Sequence, residues 1–205
     1  GLSLEGRRRP PRGTIFAQIG EPRFGIVVRT PGSSAGGALS LRVIGPEKHA
    51  KVVDLGFSEA QLDAFRSVMY GDRGLVLITS LPGNGLSTTI FSIARSHDAF
   101  LQNIQMLEYE REIDIDNITQ KRFAASAENS FGADLLKMVR TDPTVLVLPE
   151  IRTADKQAAS VACEAAAKKQ IVYVGVKSLD LFDAVQRFGA LVGDIAPLAK
   201  ALTCV

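Results

Sequence analysis

From Gly74 onward the chain alternates short apolar runs with amphipathic segments, and this alternation limits the possible folds more than any other feature. The apolar runs are LVLITS (75–80), NIQMLEY (103–109), TVLVLPEI (144–151) and QIVYVGV (170–176). The segments between and after them have helical patterns and lie at 85–98, 132–141, 153–169 and 179–191. Buried strands that alternate with helices are typical of a parallel sheet covered on both faces. The sequence therefore predicts a doubly wound α/β domain over residues 73–205, an ordinary size for a domain.

A glycine-rich turn, SLPGNGLS at 80–87, joins the first predicted strand to the first helix. It approaches the phosphate-loop pattern G-x-x-x-x-G-K-[ST], with Gly85 as the inner glycine and Ser87 at the Mg²⁺-binding hydroxyl position. Ser80 replaces the opening glycine, and Leu86 replaces the lysine. The predicted nucleotide-binding residues of this turn are Ser80, Gly83, Asn84, Gly85, Ser87 and Thr88. The alternative is an ordinary strand-to-helix turn without a ligand.

The missing lysine has a predictable cost. Leu86 cannot donate a hydrogen bond to a phosphate, and a charge-assisted hydrogen bond is worth roughly 1.5–3 kcal/mol. The backbone of the turn would still bind phosphate, but with an affinity about 10- to 100-fold lower. Hydrolysis should suffer more, because the lysine's charge also stabilises the transition state.

Three β-branched, apolar runs precede this domain, at 14–19, 24–30 and 38–44. The segment Pro31–Gly37, PGSSAGG, has the composition of a flexible hairpin loop. The runs predict part of a small antiparallel sheet domain over residues 1–46. Residues 47–72 are predicted to be a linker and a helix that begins after Ser58.

The bulk composition excludes several classes. A net charge of +2 does not indicate a nucleic-acid-binding protein. The two cysteines form no C-x-x-C pair, which excludes a zinc ribbon within this chain. No apolar run approaches the ~20 residues of a membrane helix, and the first residues lack a signal-peptide pattern. A soluble cytoplasmic protein is therefore expected.

Five stretches together are similar to one family. They are LEGRRRPPRGTI, LSLRVI, the segment from DLGFSEAQ to LSTTIF, NIQMLEYEREI with the later NITQ, and RTDPTVLVLPEIR. They resemble, in order, the motifs of the ATPases of type II secretion and type IV pilus assembly (the GspE/PilB/PilT group). The last stretch corresponds closely to that family's RQDPDIIMVGEIR. The chain thus resembles a degenerate member or a fragment of this family.

The resemblance implies a RecA-like P-loop NTPase core behind part of a small α+β sheet domain, with the core incomplete at its C-terminal end. It implies ATP and Mg²⁺ as ligands and a ring of six subunits, either of this chain alone or mixed with an active paralogue. It also implies partners among the inner-membrane platform proteins of a secretion or pilus machine, and no nucleic acid. The expected location is the cytoplasm, with a peripheral position on the inner membrane as a further expectation.

The same resemblance assigns roles to individual residues. Glu150 and Glu112 correspond to the family's catalytic carboxylates, although a strand-end acid and a charged loop would explain them without chemistry. Ser87 corresponds to the Mg²⁺ ligand and Arg42 to an arginine that reaches the phosphates. Arg152 corresponds to a retained arginine, and a structural salt bridge explains it equally well.

The chain departs from the family pattern at the chemistry. Tyr109 replaces an aspartate, Lys177 a histidine, Gly175 a threonine, Pro149 a glycine and Val27 an arginine. Lys177 lies on a strand expected beside the one that feeds the loop, so one hypothesis places its ammonium group near the phosphates. The alternative is a plain exposed lysine.

Three functional hypotheses follow from these departures. The first is a secretion or pilus ATPase subunit with a degenerate site and weak or absent hydrolysis. The second is a pseudo-ATPase, a structural or regulatory subunit that binds no nucleotide. The third, an unrelated α/β binding domain, conflicts with the ordered motifs along the chain.

Overall fold

The computed structural model describes residues 12–18, 23–30, 32–33, 36–44, 50–111, 113–126 and 129–205. The chain divides into two units, Gly1–His49 and Ala50–Val205. Glu112, one of the predicted catalytic residues, lies outside the described residues.

The first unit contains a three-stranded antiparallel sheet, as the sequence predicted. Its strands are β1 (Arg12–Gln18), β2 (Arg23–Arg29) and β5 (Ser40–Ile44), in the order β1-β2-β5. Between β2 and β5, the short strands β3 (Gly32–Ser33) and β4 (Gly36–Gly37) pair antiparallel, so the segment predicted as a flexible loop carries a small ladder of its own. Val27 pairs with Arg42 across β2 and β5, so the two positions where the resemblance expects arginines lie side by side.

The described part of the second unit contains a six-stranded sheet in which all neighbouring strands run parallel. Its strands are β6 (Gly74–Ser80), β7 (Ile104–Glu108), β8 (Thr119–Arg122), β9 (Val145–Leu148), β10 (Ile171–Lys177) and β11 (Leu202–Cys204). The strand order is β11-β6-β10-β9-β7-β8. The predicted doubly wound parallel sheet is thereby confirmed.

The helices of this unit cover both faces of the sheet. They are α1 (Glu59–Met69), α2 (Leu86–Ser96), α3 (Phe131–Val139), α4 (Lys156–Lys168), α5 (Leu181–Val192) and α6 (Ile195–Ala201). One apolar cluster joins the sheet to α2, and the other joins it to α3, α4, α5 and α6. Side chains alternate between these clusters along β10: Ile171 and Tyr173 belong to the α2 cluster, and Val172 and Val174 to the other. This alternation is the period-2 pattern of a strand buried on both faces.

Sequence patterns missed three elements of the second unit. Strand β8, TQKR, is polar and lies at one edge of the sheet, where no apolar alternation is required. Helix α6 and the three-residue strand β11 follow α5 closely, and β11 forms the opposite edge. Short edge elements gain their stability from tertiary pairing, so their local sequence carries a weak signal.

The segment predicted as a linker also contains structure. Residues Val52–Leu55 form a 3₁₀ turn, Val52 is buried in the α2 cluster, and its amide donates to Ser96 Oγ at 3.4 Å. This part of the linker is therefore docked against α2. Helix α1 begins after Ser58 as predicted, and Ser58 Oγ accepts the amide of Gln61. Among the described residues, no helix is long and apolar enough to cross a membrane.

His97 ends α2 in a buried, hydrogen-bonded position. Its Nε2 lies 2.9 Å from the Tyr173 hydroxyl oxygen, and its Nδ1 lies 2.9 Å from Gln102 Oε1. Burial lowers the pKa of His97 below its usual 6.5, partly offset by the hydrogen bond to Gln102. The ring is therefore held neutral in the folded chain.

We expect this neutral histidine to make folding stability depend on pH below 6.5. The unfolded chain takes up a proton near pH 6.5, whereas the folded chain does so only at lower pH. The contribution is thus fully present above pH 6.5 and falls as the pH drops, by at most about 1.4 kcal/mol per pH unit. Urea unfolding from pH 7.5 to 5.5 measures the slope. The His97→Gln variant should be less stable than the parent at pH 7.5, and its free energy of unfolding should change less with pH over this range. A slope equal to that of the parent would contradict the assignment.

Candidate functional site

The turn between β6 and α2 has the backbone geometry of an anion-binding loop. Gly83 and Gly85 both have φ of +86°, the left-handed region that side chains rarely adopt. A Cβ at either position would meet nothing within 4 Å, so backbone conformation, and not crowding, calls for glycine here. The Asn84 amide donates to the Leu81 carbonyl at 3.1 Å and closes the turn. Left-handed residues in such turns orient consecutive amides toward one point, as in phosphate-binding nests.

Helix α2 begins directly after this turn. Gly85 is its N-cap, and the first intrahelical bond runs from the Thr89 amide to the Gly85 carbonyl at 2.9 Å. The amides of Leu86, Ser87 and Thr88 precede that bond, so the helix itself offers them no acceptor. The positive end of the helix dipole and these donors favour an anion at this position. The neighbouring α1 and α3 instead begin with serine side chains that accept from their first turns.

Leu86 occupies the lysine position of the loop and is committed to the apolar core. Its side chain is 9 % exposed and belongs to the same cluster as Val76, Ile90 and Phe91. The loop therefore supplies backbone donors without a cation of its own at this position.

Glu150 follows β9 at the carboxyl edge of the sheet and is held between two cations. Lys177 Nζ donates to Glu150 Oε1 at 2.9 Å, and Arg152 Nη2 lies 3.6 Å from Oε2. The side chains of Lys177, Arg152 and Glu150 are 51 %, 48 % and 31 % exposed, so each pair contributes no more than about 1 kcal/mol to stability. Each carboxylate oxygen nevertheless faces a cation, and Glu150 would have to exchange a partner to act on a metal or a water molecule.

Tyr109 and Arg152 belong to a structural network beside Glu150. The Tyr109 ring stacks on Phe131 with centroids 4.5 Å apart, and the Arg152 guanidinium carbon lies 3.6 Å from the Tyr109 ring centroid. The Tyr109 hydroxyl donates to Asp155 Oδ2, which also accepts the Arg152 amide at 2.7 Å. Burial, together with the Asp155 carboxylate, raises the pKa of Tyr109. Tyr109 is therefore a neutral packing residue where the family pattern has an aspartate.

Sequence reasoning identified Tyr109 as a departure but missed its partner Asp155. Asp155 precedes α4, and no local pattern around it indicated a contact with Tyr109, 46 positions earlier. Arg152 was interpreted either as a retained family arginine or as part of a structural salt bridge, and the structure shows an ion pair with Glu150. The stacking of Arg152 on Tyr109 was not foreseen.

Pro149 and Gly175, both departures from the family pattern, meet at this edge. A Cβ at Gly175 would lie 2.1 Å from the Pro149 carbonyl oxygen and 2.7 Å from Ile90 Cδ1. The Gly175 carbonyl accepts the Ile151 amide at 3.1 Å. The chain after β9 thus crosses directly over β10, and this crossing requires glycine at position 175.

The structure gathers most of the predicted site residues at one edge of the sheet. Ser80 ends β6, and the turn and the first residues of α2 contain the other five, Gly83, Asn84, Gly85, Ser87 and Thr88. Glu150 follows β9, and β10 lies between β9 and β6. Arg42 is exposed in the first unit, and its contribution to phosphate binding stays a prediction.

A family model described as "Type II/IV secretion system protein" matches residues 2–205. The chain is 30% identical over 174 residues to the type II secretion system ATPase E of Vibrio cholerae, covering 83% of this chain and 34% of that protein. It is 28% identical over 188 residues to the type IV pilus assembly ATPase PilB of Thermus thermophilus, covering 91% and 21% of the two chains. The chain therefore spans about a third or less of the length of these two relatives.

Solved structures show the same fold. The ATPase DotB of Legionella pneumophila superposes with a TM-score of 0.74 at 17% identity, covering 96% of this chain and 57% of that one. The pilus retraction motor PilT with bound ADP superposes with a TM-score of 0.65 at 20% identity, covering 97% and 58%. These likenesses confirm the predicted RecA-like α/β fold class.

Proposed function

The chain belongs to the type II/IV secretion system protein family, as its motifs predicted, and from that membership we propose that it is a motor subunit that binds ATP weakly and hydrolyses it poorly or not at all. One observation carries the proposal: the backbone of the phosphate loop is formed, while Leu86 is buried in the core where the loop's cation belongs. The proposal thus separates binding, which the backbone supports, from hydrolysis, which needs charge.

Binding is supported by groups that do not depend on the lost lysine. The amides that precede the first intrahelical bond of α2, together with the helix dipole, suit the phosphate oxygens. Ser87 is half-exposed on the first turn of α2, where its hydroxyl fits a Mg²⁺ ion that also binds the phosphates. Arg42, to which the resemblance assigns a phosphate contact, would add one positive charge.

Poor hydrolysis is supported by the state of three residues that come after strands β6, β7 and β9 in the chain. Leu86 follows β6 and provides no charge to the transition state. Tyr109 follows β7 and offers a neutral hydroxyl, already bonded to Asp155, in place of a carboxylate. Glu150 follows β9 and is paired with Arg152 as well as Lys177, and the Arg152 pair opposes its use as a base or a metal ligand even when Lys177 moves away. Glu112 is the remaining predicted catalytic carboxylate. It would have to orient water without a loop lysine, without a carboxylate at position 109 and without an available Glu150.

For the assembly we propose a ring of six subunits, either of this chain alone or mixed with an active paralogue. In a mixed ring, a weakly hydrolysing subunit would contribute to the structure or regulation of the motor. We propose inner-membrane platform proteins of a secretion or pilus machine as its partners, and a cytoplasmic position peripheral to that membrane. Analytical ultracentrifugation of the chain alone and with a paralogue tests the ring.

We expect ATP and ADP to bind with dissociation constants about 10- to 100-fold weaker than in a family member that has the loop lysine, because one charge-assisted hydrogen bond is missing. Isothermal titration calorimetry with and without Mg²⁺ measures both nucleotides. The comparison protein should be trimmed to the span that matches this chain, since this chain spans only part of its relatives.

Gly85→Val is the control for the loop backbone. No atom would crowd its Cβ, but φ of +86° is a poor conformation for a β-branched residue, so the turn must change shape. The variant should keep the circular dichroism spectrum of the parent and lose nucleotide binding. If the parent itself shows no binding at millimolar nucleotide, the proposal is wrong, and a pseudo-ATPase without nucleotide is the better description.

A further inference from the structure

We infer that Lys177 replaces in part the phosphate-binding cation that the loop lacks, by exchanging its bond from Glu150 to the terminal phosphates of the nucleotide. This inference rests on the proposed nucleotide binding and assigns one residue to it. Lys177 ends β10, and in the structure its ammonium group donates to Glu150 Oε1 at 2.9 Å.

The face of the sheet on which Lys177 lies is the first argument. Side chains alternate along a strand, and Ile171 and Tyr173 belong to the cluster on the α2 face. A Cβ at Gly175 would meet Ile90 of α2, which continues the series. Lys177 is next in this series, so it lies on the face that carries α2, the helix that begins at the phosphate loop.

The position of Lys177 along the sheet is the second argument. Lys177 pairs in register with Ser80, the last residue of β6 and the first of the loop. The Ser178 amide donates to the Ser80 carbonyl at 3.3 Å, which holds the two chain segments together beyond the strands. Since β10 lies between β6 and β9, Lys177 stands between the loop and Glu150.

The firmness with which the two cations paired with Glu150 are held is the third argument. The Lys177 side chain is 51 % exposed, and an exposed ion pair such as that with Glu150 is weak, so exchange for a phosphate costs little. A lysine also has a flexible stem and three rotatable donors. Arg152, the other cation on Glu150, is held over the Tyr109 ring. Lys177 is thus the cation that can move to a phosphate without breaking a stack.

Calorimetric titration of Lys177→Ala with AMP, ADP and ATP tests this assignment. We expect ADP and ATP to bind about 10-fold more weakly than to the parent, while AMP changes little, because the lysine contacts the terminal phosphates and makes up part of the hydrogen bond that the loop lacks. Lys177→Arg should retain most of the affinity, since it keeps the charge. Lys169→Ala removes an exposed lysine that precedes β10, at the other end of the strand, and should have no effect.

Removal of Lys177 also leaves the Glu150 carboxylate without its nearer cation. The same substitution made in a Glu150→Gln variant separates this effect from the loss of a phosphate contact. In Glu150→Gln, which has no charge to neutralise, Lys177→Ala should still weaken ATP binding. The inference is overturned if Lys177→Ala binds ATP as the parent does, or if its effect disappears in the Glu150→Gln background. A parent that binds no nucleotide refutes the inference and the proposed function together, whereas a binding parent with an unaffected Lys177→Ala variant refutes the inference alone.

Discussion

Gly175→Ala is expected to destabilise the second unit by about 3 kcal/mol, at the upper end of the usual cost of overpacking. The added Cβ would lie 2.1 Å from the Pro149 carbonyl oxygen, which is backbone and cannot rotate away. Relief requires β9 and β10 to separate at this edge, and that movement strains the hydrogen bond from the Ile151 amide to the Gly175 carbonyl. Urea unfolding followed by circular dichroism measures the loss.

Gly189→Ala is the matched control for this prediction. Gly189 lies inside α5, and a Cβ there would make an ordinary contact, 3.6 Å from Leu198 Cδ2. Alanine is favoured over glycine inside a helix by about 0.5–1 kcal/mol, so this variant should be as stable as the parent or more so. If both alanine variants have the same urea midpoint of unfolding as the parent, the Pro149 backbone does not lie as close to Gly175 as the structure shows.

ATP turnover is expected to be at least ~10²-fold below that of a family member with the loop lysine, the effect of removing one transition-state stabiliser. The reason extends beyond Leu86. The Tyr109 hydroxyl donates to Asp155, and Glu150 is paired with Arg152 as well as Lys177, so the charges that hydrolysis needs are either absent or already paired. A phosphate-release assay at saturating ATP measures turnover, with the matching span of the lysine-containing protein measured beside it.

Leu86→Lys separates the loss of the lysine from the other changes. The introduced ammonium group would add a phosphate cation, while the packing of Leu86 in the α2 cluster would be lost. Because Glu150 and Tyr109 are unchanged in this variant, we expect it to improve ATP affinity more than turnover. Ordinary turnover by the parent, alone or mixed with a candidate paralogue, would contradict the proposal of poor hydrolysis.

The loop and the central strands were predictable because each depends on residues close together in the chain. Gly83 and Gly85 indicated the turn from the sequence, and the structure adds that both have φ of +86°, in the left-handed region. The apolar runs predicted β6, β7, β9 and β10 because strands buried on both faces have no polar face to interrupt the pattern. Strands β8 and β11 escaped prediction, since a polar edge strand and a three-residue strand carry little local signal.

The sequence predicted which residues belong to the candidate site. It did not predict which of their side chains are in contact with one another. Nothing in the sequence around Tyr109 indicated that its hydroxyl reaches Asp155 or that Arg152 covers its ring. The resemblance identified Pro149 and Gly175 as two separate departures, whereas the structure shows them in contact. Such pairs join residues far apart in the chain, and single-sequence patterns do not report them.

By itself, the sequence determined that this chain has a parallel α/β core, a phosphate-type loop with Leu86 in the lysine position, and the motifs of a secretion ATPase family. These follow from local periodicity, from the conformational freedom of glycine and from motif order. Only the tertiary structure decided that Leu86 is buried in the core and that Glu150 is paired with Lys177 beside the loop. The lateral order of strands and the partner of each charge depend on long-range packing, because that packing determines which strand ends meet at one edge of the sheet.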